Sequence, residues 1–145
     1  MSGSYVFDTE AIIAFLYNEP GHEAVAELLD EVFTGDADGF MTETNASEVF
    51  YLVARFEGAD DVPTDASLRE ADRDIRALER QGLEFEAADW RLAAEVKADG
   101  SISLTDAYAV ALAHERDATL VAGADDDFHE LPIEVDLHRF RDHGV

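Results

Sequence analysis

Short apolar runs alternate with segments of helical length along this chain, and this alternation limits its fold more than any other feature. Strands that alternate with helices form a mainly parallel sheet covered by helices. The sequence therefore predicts an α/β sandwich in a single domain, residues 1–145. The predicted strands are residues 5–7, 40–41, 83–87, 119–122 and 133–138, and the predicted helices are residues 11–17, 22–33, 43–57, 64–81, 89–98 and 103–116.

The charge of the chain bears on its partners. Thirty-four Asp and Glu residues stand against nine arginines and one lysine, Lys97, for a formal net charge of −24. Such an excess of acid normally argues against nucleic-acid partners, because phosphate binding uses cationic side chains. A cytoplasm of molar salt favours the same composition, since the screening length there falls to about 3 Å. Salt adaptation is favoured over a dedicated cationic partner, and it weakens the argument against nucleic-acid binding.

The sequence also indicates a compartment. It has no cysteine, which excludes disulfides and thiolate metal sites. It has no basic segment followed by a long apolar stretch at its start, and no run long enough to cross a bilayer. We therefore expect a soluble cytoplasmic protein with no membrane partner. Asn45 begins a glycosylation sequon, which we attribute to chance because no secretory signal accompanies it.

Two aspartates come just after predicted strands. Asp8 ends the run YVFD, where it is also a good N-cap for the next helix. Asp125 follows TLVAGA, in which two small residues allow close backbone approach. Because ligands of parallel sheets bind beyond the carboxyl ends of the strands, we expect both acids in one neighbourhood. Asp126 and Asp127 come later in the same run and are predicted to be solvated.

Two further acids interrupt apolar helices. Glu48 precedes the run VFYLVA, which is apolar around almost the whole helix, so its charge needs a partner. That partner is either a metal ion or Arg55, seven residues later on the same side. Asp106 shares one helix face with apolar residues three, four and seven positions later. Its alternative role is a capping box with Ser103.

Four acids that converge from two strand ends and two helices cannot all stay ionised and unpaired. A divalent cation resolves this conflict, since Mg²⁺ takes oxygen ligands, engages one or two carboxylates directly and retains several waters. Such an ion polarises a phosphoryl oxygen and lowers the pKa of a bound water. The pattern therefore indicates metal-assisted phosphodiester hydrolysis. The candidate catalytic and metal-ligating residues are Asp8, Glu48, Asp106 and Asp125.

The segments that contain these acids are YVFDTEAIIAFL, NASEVFYLVAR, ISLTDAYAVALA and TLVAGADDDF. In this order and spacing they resemble the PIN-domain family, and most closely its VapC-type ribonuclease toxins. The resemblance extends over almost the whole chain, and the ordered set is more specific than any one segment. The family's acidic quartet then falls on the four acids chosen above. Thr9, the small polar residue after the first acid, is also present.

The resemblance implies a three-layer α/β/α sandwich around a mainly parallel sheet of about five strands, with a Mg²⁺ or Mn²⁺ site. The implied activity is endonucleolytic cleavage of RNA by a metal-activated water. The implied partners are the RNA substrate, a second copy in a homodimer and a small antitoxin that inserts into the active-site groove. Gly123 departs from the family pattern, because it stands where a Ser or Thr hydroxyl commonly helps to order the last acid or a bound water.

Four of the ten cationic residues lie within a narrow arc of the helix predicted at residues 64–81. They are Arg69, Arg73, Arg76 and Arg80. The functional interpretation is a track for an RNA backbone. The alternative, which we favour, is a solvated face with local ion pairs. These pairs would join Asp65 to Arg69 and Asp72 to Arg76.

Other functions stay open. Phosphoaspartate phosphatases and receiver domains also place an acid at a strand end, but both rely on a nearby lysine. Lys97, the single lysine, lies on a predicted helix before Gly100, which makes both classes unfavourable. The remaining alternatives are a PIN-like binding module with weak or no activity and a stand-alone nuclease without an antitoxin.

Overall fold

The structure, a computed structural model, describes residues 3–123 and 131–141. This part of the chain contains five strands and six helices. The strands are β1 Ser4–Phe7, β2 Asp38–Thr42, β3 Glu84–Glu86, β4 Thr119–Ala122 and β5 Leu137–Arg139. The helices are α1 Thr9–Tyr17, α2 His22–Phe33, α3 Glu43–Phe56, α4 Asp65–Gln81, α5 Trp90–Asp99 and α6 Leu104–Arg116. Within the described residues, no helix combines the length and apolar composition needed to cross a membrane.

The five strands form one sheet in the order β3-β2-β1-β4-β5, and every neighbouring pair is parallel. β1 lies in the centre, where Val6 is level with Phe40 of β2 and Leu120 of β4. The predicted five-stranded, mainly parallel sheet is therefore confirmed.

Helices cover both faces of this sheet, and the alternation of residues along the strands explains why. Phe7 of β1 and Val121 of β4 pack in one buried cluster with apolar residues of α1, α2, α3 and α4. Their neighbours Val6 and Leu120 point to the other face and pack against α5 and α6. Strands buried on both faces need apolar residues at successive positions, as YVF and TLVA provide. The predicted α/β/α sandwich is confirmed.

Local capping explains why the helix boundaries agree with the sequence. α4 begins after Thr64, whose hydroxyl accepts a hydrogen bond from the Ser67 N–H at 3.0 Å. The Ser67 hydroxyl accepts one in return from the Thr64 N–H at 2.8 Å, which completes a capping box. The same helix ends at Gly82, whose φ of 126° is a conformation that favours glycine.

Two expectations from the sequence are wrong. A strand was predicted at residues 133–138, but the observed strand β5 covers only Leu137–Arg139. It is short because β4 has only four residues, of which Leu120 is the first to pair with β5, at Leu137. α3 is not buried on all sides, since Tyr51 and Phe56 are 52% and 44% exposed. The guanidinium of Arg55 lies near both rings and shields part of their surface.

Candidate active site

The carboxyl ends of β1, β2 and β4 meet at one edge of the sheet. β2 and β4 flank β1 on opposite sides, so the strand order reverses between β1 and β4. Open parallel sheets bind their ligands at such a point. Asp8 directly follows β1, Thr42 ends β2 and Gly123 directly follows β4. We call the space that these three residues border the crevice.

Asp8 is the most buried acid of the crevice, with 1% of its surface exposed. One of its carboxylate oxygens accepts a hydrogen bond from the Ala11 N–H at 2.7 Å, so Asp8 is the N-cap of α1. Its own N–H donates to the Val121 carbonyl of β4 at 3.2 Å. The capping role predicted from the sequence is confirmed, and it does not compete with a role in the crevice, because it engages one oxygen of the carboxylate.

Burial raises the pKa of the Asp8 carboxyl well above its ordinary value. The hydrogen bond from the Ala11 N–H lowers this pKa, and the charges of Asp106, Glu10 and Glu48 raise it. These three acids come from α6, α1 and α3. The structure thus brings two of the other candidate acids, Glu48 and Asp106, within electrostatic range of Asp8 at the crevice. The fourth, Asp125, lies outside the described residues, as do Asp126 and Asp127.

Glu48 is half-buried on α3 and does not pair with Arg55. The Arg55 Nε lies 3.2 Å from a carboxylate oxygen of Asp61 instead. The sequence-based alternative for Glu48, a helical ion pair with Arg55, is therefore wrong. The capping roles predicted as alternatives for Asp8 and Asp106 are present in the structure. The ion pair predicted as the alternative for Glu48 is not.

Asp106 lies in the first turn of α6 and is half-buried. Its N–H donates to the Ser103 hydroxyl at 3.1 Å, so the first half of the predicted capping box is present. Ala109, Val110 and Ala113 on the same side of α6 are buried, as the spacing predicted. α6 therefore lies against the sheet with Asp106 at its amino end, next to the crevice.

A buried polar network ties the starts of α1 and α3 together, and sequence reasoning missed it. The Asn45 N–H donates to the Thr42 hydroxyl at 2.8 Å, and the Thr42 hydroxyl donates to the Asn45 amide oxygen. The Asn45 amide nitrogen donates to the Thr9 hydroxyl at 3.0 Å. Glu48 follows Asn45 by three residues, so the two share one side of α3. The signal in the sequence is an Asn on the apolar side of a helix, at the position that begins the sequon.

A second missed residue is Glu10, in the first turn of α1. Its charge acts on Asp8, and its carboxylate forms an ion pair with Arg141, the residue after Phe140 at the end of the described chain. Arg141 also donates from its Nε to the Pro20 carbonyl at 2.8 Å. Nothing in the linear sequence links residues 10 and 141, because only the sheet brings them together.

The donor chemistry of the crevice suits a hard divalent cation. Carboxylate oxygens are the ligands that Mg²⁺ and Mn²⁺ accept, and Mg²⁺ needs only one or two of them together with water. Within residues 3–123 and 131–141, no three Asp, Glu or His side chains are close enough together to hold a metal ion by themselves. A cation at this place would therefore bind few described carboxylates directly and would reach others through water.

The four arginines of α4 line a surface groove of about 590 Å³, which we call the arginine groove. Phe50 of α3 and Leu68 add apolar surface to it. Arg76 pairs with Asp72 at 3.4 Å and with Glu79 at 3.1 Å, which confirms one of the two predicted local pairs. The lining residues are Phe50, Leu68, Arg69, Asp72, Arg73, Arg76 and Arg80.

Three arginines of this groove lack such local pairs. Arg69, Arg73 and Arg80 have no carboxylate oxygen within 4.0 Å in the described ranges, although the charge of Arg73 acts on Asp74. The predicted pair of Asp65 with Arg69 is therefore wrong. All four arginines of α4 are exposed, as a solvated face requires, and one of its two predicted local pairs is present.

Comparison with known proteins identifies the family and the fold. The family model described as PIN domain matches residues 5–134. Comparison with curated proteins finds no match.

Several solved structures share the fold. VapBC2 from Rickettsia felis, solved with a DNA fragment from its promoter, has a TM-score of 0.69 and 14% identity over 94% of this chain and 98% of that one. FitAB bound to an IR36 DNA fragment has a TM-score of 0.63 and 19% identity over 94% of each chain. VapC20 from Mycobacterium tuberculosis, a toxin that cleaves the sarcin–ricin loop, has a TM-score of 0.57 and 13% identity over 80% of this chain and 86% of that one.

We expect Asp8→Asn to stabilise the protein in the absence of divalent cations at neutral and higher pH. The pKa of Asp8 is raised by folding, so the folded protein binds more protons than the unfolded chain, and stability falls as pH rises from the ordinary Asp value through the raised one. Asn cannot ionise, yet it caps a helix as well as Asp does. Thermal unfolding with EDTA between pH 4 and 8 measures the effect.

The matched control for this experiment is Asp30→Asn, which removes one exposed charge from α2. The stabilisation by Asp8→Asn should grow with pH, while the control should shift stability little. Equal pH dependence in both variants would contradict the buried, high-pKa carboxyl.

Asn45→Ala should destabilise the fold by about 1–3 kcal/mol, because it removes the donor to the buried Thr9 hydroxyl and the side-chain acceptor of the buried Thr42 hydroxyl. Chemical denaturation measures the loss. Ser47→Ala, at an exposed position of the same helix, should change the free energy of unfolding by less than about 0.5 kcal/mol. A loss no larger than that of the control would mean that the network contributes no net stability.

Proposed function

The chain belongs to the PIN-domain family, and from this premise we propose that it is a Mg²⁺-dependent endoribonuclease, the toxin of a toxin–antitoxin module. PIN domains are generally nucleases. One observation carries the proposal: the buried Asp8 carboxylate lies at the carboxyl edge of the sheet with Asp106 and Glu48 within electrostatic range. A folded protein gains nothing in stability from such repulsion, so the arrangement favours a cationic ligand.

In the proposed mechanism, Asp8, Glu48, Asp106 and Asp125 would hold Mg²⁺ or Mn²⁺. The cation would polarise the scissile phosphate and lower the pKa of a water. The chain's own part is to fix the ligands: the Ala11 N–H orients Asp8, and the Asn45 network sets the position of α3 and with it Glu48. Outer hydrogen bonds of this kind commonly decide the orientation of metal-binding carboxylates.

The similar structures support the toxin assignment. VapC20 is a toxin that cleaves the sarcin–ricin loop, so a protein of this fold cuts RNA. VapBC2 and FitAB, solved with promoter DNA and with an IR36 DNA fragment, support an antitoxin partner for this chain. We propose RNA as the substrate, a small antitoxin as the inhibitor and a homodimer as the assembly, in agreement with the resemblance seen in the sequence.

The second candidate is a PIN-like module that binds a metal ion or a partner without cleaving RNA. Two observations favour it. Within the described ranges no three acids are close enough to hold a metal by themselves, and Gly123 lacks the hydroxyl that the family commonly has there. Metal binding without RNA cleavage would support this candidate over the nuclease.

The first test is cleavage of RNA by the purified protein. We expect cutting with Mg²⁺ or Mn²⁺, none with EDTA, and a loss of about two orders of magnitude or more for Asp8→Asn and for Asp106→Asn, because each removes charge from the crevice. Asp30→Asn should keep full activity. The assay should include molar KCl, since a net charge of −24 destabilises a compact state at low salt.

Two outcomes would overturn parts of this assignment. Unchanged cleavage by both Asp8→Asn and Asp106→Asn would place the active site elsewhere. Asp125→Asn should reduce cleavage far more than Asp126→Asn, and equal effects would defeat the ranking of these two residues.

The arginine groove is proposed to hold a part of the RNA away from the cut site, since phosphates are the anions that the substrate offers. Residues 48 and 50 lie on opposite sides of α3, so the groove and the crevice are on different sides of this helix. Arg69→Gln with Arg73→Gln should raise KM about tenfold, leave kcat within about twofold and reduce the salt dependence of binding by one to two units of slope.

The matched control is Arg91→Gln with Lys97→Gln, which makes the same change of charge on the exposed face of α5. KM values over a KCl series compare the two double variants. An equal rise of KM in both double variants would mean that RNA binding depends on the net charge of the protein and not on the arginine groove.

A further inference from the structure

Gly123 directly follows β4 at the crevice, and its missing side chain leaves a space that another residue occupies. A β-carbon built at Gly123 would lie 2.5 Å from one carboxylate oxygen of Glu10 and 2.6 Å from the Glu10 Cδ and the other oxygen. These separations are too short for real atoms. The backbone of Gly123 is not left-handed, so a side chain there would conflict only with the Glu10 carboxylate, which would have to move. The carboxylate of Glu10 thus lies where a side chain at position 123 would begin.

Arg141 holds Glu10 in this place. One terminal guanidinium nitrogen pairs with the Glu10 carboxylate, and the Nε donates to the Pro20 carbonyl at 2.8 Å. The other terminal nitrogen is buried, has no hydrogen-bond partner among the described residues and lies 3.7 Å from Glu19. The side chain of Arg141 is 26% exposed, so the pair is only partly screened by solvent.

The position of Arg141 is itself fixed by the sheet. Phe140, the preceding residue, is 5% exposed and donates its N–H to the Ala122 carbonyl at 3.0 Å. The Arg141 guanidinium lies 5.0 Å from the centre of the Phe140 ring. Ala122 is the residue before Gly123, so the chain after β5 is bonded to the end of β4 next to the space in question. The end of β4 thus positions Phe140 and Arg141, and Arg141 in turn positions Glu10 at the crevice.

We propose that Glu10, fixed by Arg141, is a positioning residue of the acidic site that replaces the absent side chain at position 123. The inference rests on the proposed function, since it concerns the same cation. A hydroxyl at position 123 and a carboxylate that reaches the same place from α1 both supply an oxygen that accepts hydrogen bonds from water around the ion. The pairing with Arg141 offsets part of the repulsion between Glu10 and Asp8.

A purely structural role is the alternative. The pair of Glu10 and Arg141 would then only fasten the chain after β5 to α1. The structure offers a matched control for this alternative, because Glu19 approaches the same guanidinium of Arg141 but its carboxylate is not among the charges that act on Asp8. Loss of either acid weakens the hold on Arg141, whereas only loss of Glu10 changes the crevice.

The test measures Mn²⁺ binding from the signal of the free ion in electron paramagnetic resonance, together with thermal unfolding and RNA cleavage. Glu10→Gln should weaken Mn²⁺ binding about tenfold to a hundredfold, because the amide loses the charge that pairs with Arg141 and one of the two acceptor oxygens. Glu19→Gln should bind Mn²⁺ as the wild type does. Equal Mn²⁺ affinity in the wild type and Glu10→Gln would overturn the inference, whatever the change in unfolding temperature.

Exchange of the two positions gives a second, independent test. Gly123→Ser alone should weaken Mn²⁺ binding, because the new β-carbon displaces the Glu10 carboxylate. Gly123→Ser with Glu10→Ser should recover most of the affinity, because the steric conflict is gone and a hydroxyl is supplied at position 123. Additive losses in the double variant would contradict the proposed replacement. If Gly123→Ser does not fold, the comparison of Glu10→Gln with Glu19→Gln decides alone.

The outcomes separate this inference from the proposed function. Mn²⁺ binding that depends on Glu10, in a protein that cuts no RNA, would overturn the nuclease and leave the role of Glu10 intact. RNA cleavage by a protein whose Mn²⁺ affinity does not depend on Glu10 would support the nuclease and overturn the role of Glu10. A wild-type protein that binds no Mn²⁺ would overturn both.

Discussion

The burial of the Asp8 carboxylate at the junction of β1 and α1 is the constraint on which the rest of the structure depends. The fold needs this group as the N-cap of α1, and the central position of β1 removes it from water. Asp106 and Glu48 then add repulsion from two further helices. The proposed cation would relieve this repulsion, and the ligand-binding edge of the sheet lies at the same place.

The few cationic residues of this chain have two kinds of environment. Arg76 and Arg91 pair with acids on their own helices, where such exposed pairs contribute little to stability. Arg141 instead reaches across the fold to Glu10 at the crevice, and the unpaired arginines of α4 face a groove. A chain with 34 acids and 10 cations could have paired every arginine locally. Arg141 and the arginine groove lie where a function is proposed, whereas Arg116 pairs with Glu86 of β3 and Arg55 pairs with Asp61 away from any proposed site.

Much of the fold and part of the site were predictable from the sequence. Helix limits such as Thr64 and Gly82 follow from capping, and the buried strands follow from short apolar runs. The predicted alternative pair of Glu48 with Arg55 is wrong, because Arg55 pairs instead with Asp61 in the loop after α3. Helical spacing within α3 gives no information on this loop residue. The roles of Asn45 and Glu10 were not predictable, because the hydrogen-bond and ion-pair partners of these residues become their neighbours only in the folded chain.

The sequence by itself determined the strand and helix pattern, the parallel α/β class and the choice of Asp8, Glu48 and Asp106 as unusual acids. Those conclusions depend on periodicity and capping, which act over a few residues. The tertiary structure alone decided that Glu10 lies against Gly123 and pairs with Arg141, and that Asn45 joins Thr9 to Thr42 by hydrogen bonds. These contacts join residues far apart in the chain, and parallel strand pairing is what brings them together, because it gathers the strand ends at one edge of the sheet.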